Sequence, residues 1–117
     1  VAEEGKLIVL GQDGAIPYVI EEGMAGGSLP NFTRLAERGV FARLLPHPSA
    51  VTPGNWAHIS TGALPWTTGI SEFSLHKVGA SFENSVPAFE RQHCQAETLW
   101  EALGRRGLRC ATISYPH

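Results

Sequence analysis

The chain has 117 residues, 43% of them hydrophobic, the size of one ordinary globular domain that can bury a core. Lys and Arg number 9 against 11 Asp and Glu, a formal net charge of -2 with no block of like charge, which argues against a nucleic-acid polymer or a membrane surface as partner. No apolar run approaches the ~18 residues of a membrane span and no leader precedes the first strand, so a soluble chain is expected, in the cytoplasm rather than exported.

"KLIVLG", residues 6 to 11, is a short apolar run that suits a strand buried on both faces, with Gln12, Asp13 and Gly14 at its carboxyl end. "IPYVIEEGMAGG" predicts a short helix, with Pro17 in the first turn and the glycines from 23 to 27 ending the pattern. In "LPNFTRLAERGV", Asn31 reads as N-cap, Phe32, Leu35 and Ala36 as the apolar face, and Gly39 as the stop. "VFARLL", residues 40 to 45, reads as a second strand that ends at Pro46 and runs into "HPSAVTPGNWAHISTGALPWTTGI".

Beyond Gly69 the sequence has mixed polarity and no sustained period, which predicts a long excursion holding at most short elements, of the kind that serves a site. "AETLWEALGRRG", residues 96 to 107, predicts a helix with Ala96, Leu99, Trp100 and Leu103 on one face, Glu101 paired with Arg105, and a stop at Gly107. "LRCATIS" then reads as a third strand. Strands alternating with helices, without hairpin turns, predict an α/β fold with a mostly parallel sheet flanked by helices. The chain begins without Met and ends in "SYPH", just past a strand, where open parallel sheets build their sites. Trimming at the front is therefore expected, and residues 1 to 117 are read as the N-terminal part of a larger catalytic domain.

Three residues could carry chemistry. Asp13 is either an Asp-Gly turn or a metal-ligating carboxylate at a strand's carboxyl end. Thr52, ahead of Pro53, is either a helix N-cap or a nucleophile, because the free N–H groups and dipole of a helix start favour an anion. Asn55 lies three residues on, in the first turn, where its amide can face the same anion.

Other residues are less suggestive. The five histidines, His47, His58, His76, His93 and His117, lack metal-binding spacing, and none is assigned to a metal. Cys94 and Cys110 read as buried free thiols. No GxGxxG, GxxxxGK[ST] or GxSxG motif is present. Trp56, Trp66 and Phe73 are expected in the core rather than stacked on a base.

Taken in order, "LGQDG", "LPNFTRLAERGV" and "AVTPGNWAHISTGALPWTTGI" resemble the start of an alkaline phosphatase superfamily domain, in its type I phosphodiesterase/nucleotide pyrophosphatase branch. The resemblance implies Asp13 as a metal ligand, Thr52 as a nucleophile that also touches a metal, and Asn55 as the residue steadying the phosphoryl oxygens. Thr61, Gly62 and Pro65 match supporting positions. The chain departs where the family commonly reads His-Gly-Ile, having Thr68, Gly69 and Ile70, and the family's further Asp and His ligands have no counterpart here.

The implied activity is hydrolysis of a phosphoric ester through a phospho-threonine intermediate. It would use two divalent ions, zinc or alternatively manganese or magnesium, and a small phosphate ester or nucleotide as substrate. The remainder of the catalytic domain would be the partner, and the chain alone is expected to show no appreciable turnover. The alternatives are a phosphomonoesterase or phosphomutase of the same superfamily, or a domain that keeps the fold without catalysis.

Overall fold

The structure is a computed structural model and describes residues 5–46, 48 and 50–116. His47 and His117 lie outside the described residues. The described elements are α1 (Pro17–Ala25), α2 (Pro30–Arg38), α3 (Thr52–Thr61), α4 (Pro65–Thr68), β1 (Ser74–His76), β2 (Ser85–Pro87), a 3-10 turn (Arg91–His93) and α5 (Leu99–Arg105). The chain divides into two units, one ending at Leu44 and the other beginning at Leu45.

The first unit is a helix pair. Proline stands in the first turn of α1 and of α2, where its missing N–H costs nothing. The cap of α2 is Leu29, two residues ahead of the expected Asn31, whose Oδ1 instead accepts from Arg34 inside the helix. Between the helices the Leu29 N–H and the Ser28 hydroxyl both donate to the Gly23 carbonyl, each at 3.1 Å. A Cβ on Gly23 would stand 2.7 Å from Leu29 Cδ1, so a larger residue there would make the Leu29 side chain shift. Arg43 reaches back to Glu21 of α1 through two hydrogen bonds. No described residue of this unit is buried.

The second unit has a core. Ala57 of α3 meets Ile70, Ala88 and Cys94, and Leu75 and Ala96 pack on the outside of this group. α3 turns one face inward, burying Pro53, Trp56, Ala57 and Ser60 at helical spacing. The excursion after Gly69 carries the short antiparallel pair β1–β2, with Leu75 opposite Val86. Helix α5 starts at a capping box: the Thr98 hydroxyl accepts from the Glu101 N–H, and the Glu101 carboxylate accepts from the Thr98 N–H. Glu101 takes Arg91 as its ion-pair partner and Arg105 takes Glu97, so the expected Glu101–Arg105 pair is not formed.

The expected α/β fold is corrected by these observations. Among the described residues the chain is mostly helical, and the sheet has two antiparallel strands of three residues each. Residues 6–11, 40–45 and 108–114 join no ladder. Their apolar side chains face solvent, with Ile8 88%, Val40 93% and Ile113 89% exposed. The physical reason is that an apolar, β-branched run records only a preference for extended backbone. A strand exists when a second segment supplies the hydrogen bonds along its edge and a layer covers its faces.

Cys94 is buried as expected, while Cys110 is exposed; both are free thiols. No helix among the described residues is long and apolar enough to cross a membrane.

Candidate active site

The start of α3 is set by the backbone of Val51, which is extended (φ -90°, ψ 147°) and serves as the N-cap. Thr52 is therefore the first helical residue and Pro53 the second, one place later than the expected cap. The Val51 carbonyl accepts from both the Asn55 N–H and the Asn55 side-chain amide, each at 3.0 Å. With that cap in place the Thr52 hydroxyl is not used to close its own helix, and it forms no hydrogen bond with another described residue. It is half-buried, on the side of α3 that also carries Asn55 and Ile59.

Several local features hold this turn. Ala50 has φ 48°, a left-handed conformation that a residue with a Cβ adopts at a cost. Pro53 fixes the helical φ of its own position and removes one donor from the first turn, leaving the N–H groups of Thr52 and Gly54 without carbonyls inside the helix. At the far end Gly62 takes φ 68° and its N–H bonds the His58 carbonyl at 2.8 Å. Thr61 accepts from Ala63 N–H at 3.0 Å, and Pro65 opens α4. The positions matching Thr61, Gly62 and Pro65 thus end one helix and begin the next.

Thr68, where the chain departs from the His-Gly-Ile of the pattern it resembles, is an internal brace. Its hydroxyl accepts from the Ile70 N–H at 3.1 Å and its carbonyl accepts from the Gln95 N–H at 2.8 Å. Its side chain is buried.

Asp13 belongs to the first unit, at an exposed turn. Its Oδ1 accepts from the Gly14 N–H at 2.9 Å, and Gly14 has φ 68°. This is the Asp-Gly turn that the sequence allowed. Among the described histidines, His58 Nδ1 donates to the Ala63 carbonyl at 3.0 Å, His76 packs edge-on to Phe82, and His93 faces Glu90.

No group of three or more His, Cys, Asp or Glu side chains able to hold a metal ion occurs among the described residues. They do not fit a two-zinc centre, and the description of this chain as metal-binding, with zinc, is corrected accordingly. A structural ion needs about four protein ligands and a catalytic one about three.

Trp56 is in the core as expected, but Trp66 and Phe73 are exposed, Phe73 lying edge-on to Phe89. Tyr115, to which the sequence reading gave no role, is a principal contact of α3. Its hydroxyl donates to the Trp56 carbonyl at 2.8 Å, and its ring meets those of Trp56 and Trp100 edge-on, at 5.2 and 5.0 Å between centroids. The available signal was a tyrosine, apolar in body and polar at its tip, in a chain with tryptophans on three helices.

An open groove of about 230 Å³ in the same unit is lined by Trp100, Gly104, Leu108, Cys110 and Thr112, and includes neither Thr52 nor Asn55. Neither the curated proteins nor the solved structures contain a match to this chain. The family model of the type I phosphodiesterase / nucleotide pyrophosphatase family matches residues 7–117, almost the whole chain, and the chain belongs to that family.

Proposed function

We propose that the chain is part of a single catalytic domain that hydrolyses a small phosphoric ester, of the phosphodiesterase/nucleotide pyrophosphatase type, with Thr52 as nucleophile. The observation that carries this reading is the half-buried Thr52 hydroxyl at the first turn of α3, which has no hydrogen-bond partner among the described residues. Membership of a phosphoesterase family supports it.

In the proposed reaction the Thr52 oxygen forms a bond to phosphorus in line with the bond to the leaving alcohol, which breaks. The hydroxyl proton passes to solvent, and the departing alkoxide takes one from water. Water then attacks the phospho-threonine, restoring the hydroxyl and releasing the phosphate. The N–H groups of Thr52 and Gly54 would face the oxygens on which charge grows. Asn55 has two amide protons, of which one is spent on Val51 and one is left for the same task.

A helix start contributes about 1 kcal/mol to holding an anion, too little to ionise a threonine near neutral pH. The rest of the activation would have to come from groups outside the described residues.

The observed Asp13 turn favours a second reading, a domain that keeps the family's sequence without its catalysis. Hydrolysis of bis(4-nitrophenyl) phosphate and of 4-nitrophenyl phosphate by the full-length protein and its Thr52→Ala variant separates the two. The variant is expected to lose at least about a thousandfold in rate on the diester, as when a nucleophile is removed. After acid quenching of the wild type, a 4-nitrophenyl phosphoryl group from the diester, or a phosphoryl group from the monoester, should be found on Thr52. Equal rates in the two proteins would remove Thr52 as nucleophile, and faster cleavage of the monoester would move the activity to a phosphomonoesterase.

A further inference from the structure

Helix α3 is hydrogen-bonded to distant sequence at Tyr115, 59 residues beyond Trp56. One phenol does three things there. Its ring edge contacts Trp56 of α3 with planes at 84°, it contacts Trp100 of α5 with planes at 67°, and its hydroxyl donates to the Trp56 carbonyl. Trp56 is four residues after Thr52, on the next turn of the same helix, so its carbonyl moves with the backbone that carries the nucleophile.

Two further observations point the same way. Ser114, directly before Tyr115, has φ 50°, a left-handed conformation without glycine. Such a conformation costs on the order of 1 kcal/mol or more and persists where surrounding contacts impose it. Ala50, on the other side of the helix start, has φ 48°. Burial also pushes the Tyr115 phenol above its ordinary value of 10.0, so the hydroxyl stays protonated and able to donate at any ordinary assay pH.

We infer that Tyr115 is a positioning residue for the Thr52 site: by clamping α3 at Trp56 against α5, it sets the direction in which the first turn presents the Thr52 hydroxyl. Tyr115 acts through the helix backbone and does not touch the reacting atoms. This inference rests on the reading of Thr52 as nucleophile for its catalytic consequence, but the clamp itself is a property of the fold and is measurable without substrate.

The test uses the full-length protein, its Tyr115→Phe variant, which keeps the ring and removes the hydroxyl, and its Tyr115→Leu variant, which removes both. Amide exchange followed peptide by peptide reads the clamp. In Tyr115→Phe, exchange should quicken at residues 54–58 and stay at the wild-type rate in α5. In Tyr115→Leu it should quicken in both, with ultraviolet-excited tryptophan emission shifted as Trp56 and Trp100 lose their partner.

With bis(4-nitrophenyl) phosphate as substrate, Tyr115→Phe should lower kcat about tenfold and leave KM within roughly twofold, the signature of misplaced chemistry rather than lost binding. Unchanged exchange at residues 54–58 overturns the clamp, and changed exchange with kcat unaltered overturns its role in catalysis. Should Thr52→Ala match the wild type, the nucleophile reading fails and the positioning role falls with it. Quickened exchange would then still establish the clamp as a contact of the fold alone.

Discussion

Helices α2 and α3 start alike, with an apolar cap (Leu29 or Val51) and a proline in the first turn, yet they end in opposite situations. In sequence α2 is the more plainly amphipathic of the two, with Phe32, Leu35 and Ala36 against Arg34 and Arg38, but it buries no residue. α3 has a weak pattern, and it buries Pro53, Gly54, Trp56, Ala57 and Ser60. An apolar stripe is a capacity for burial; the covering surface must come from elsewhere in the chain. The second unit supplies it for α3 through Ile70, Ala88, Cys94 and Tyr115. Among the described residues, none of the first unit is buried.

The largest effect should come from breaking the core that exists. Ile70 is fully buried, and Ile70→Ala is expected to destabilise by about 2–5 kcal/mol, the transfer loss plus the cavity left behind. Ile8 has the same side chain and is 88% exposed, so Ile8→Ala should change stability by no more than about 0.5 kcal/mol. Urea unfolding of the two variants checks the pair. Similar losses would mean that the run around Ile8 is covered in solution.

The same contrast explains what could be read from sequence. The start of α1 and the stop at Gly39 depend on neighbours within a turn, and proline and glycine announce them, whereas α5, expected from residue 96, starts only at Leu99 behind its Thr98 cap. Thr52 was legible as part of a helix start but misplaced by one residue, because the cap is decided by the extended backbone of Val51, which has no side-chain signature. The strands expected at 6–11, 40–45 and 108–114 failed because pairing is non-local, and apolar runs do not name their partners. The Tyr115 contact, spanning 59 residues, was invisible for the same reason. At the candidate site, residue types were legible from the ordered motifs. Their hydrogen bonds, such as the Asn55 amide on Val51, were not.

A smaller effect is expected at the capping box of α5, where local sequence and packing agree. Thr98 is buried and its hydroxyl closes the first turn, so Thr98→Ala should cost about 1 kcal/mol. Glu101 adds a pH signature. The Arg91 guanidinium first, and then the Thr98 N–H and hydroxyl, lower its carboxyl from 4.5 to about 2. Because the folded value is the lower one, this contribution is fully present above pH 4.5 and is lost as pH falls toward 2. Plotted against pH, the stability difference between wild type and Glu101→Gln should be flat above that window and shrink within it. A difference that persisted unchanged to pH 2 would show that the carboxylate's charge is not what holds the box.

The smallest effect should come from the first unit's own ion pair. Arg43 and Glu21 meet through two hydrogen bonds, which lower the Glu21 carboxyl and raise the Arg43 guanidinium. Both groups stand in water, where such pairs gain little and are screened by salt. Glu21→Gln should therefore lower the melting temperature slightly at low salt, and the difference should vanish near about 0.5 M NaCl, where the Debye length is only a few ångströms. Amide exchange in α1 should be almost unchanged in the variant. If instead α1 opened on losing this contact at any salt concentration, the first unit would owe its structure to a surface pair. An apolar stripe without a cover would then have been compensated by charge, and α2 would not be the uncovered counterpart of α3.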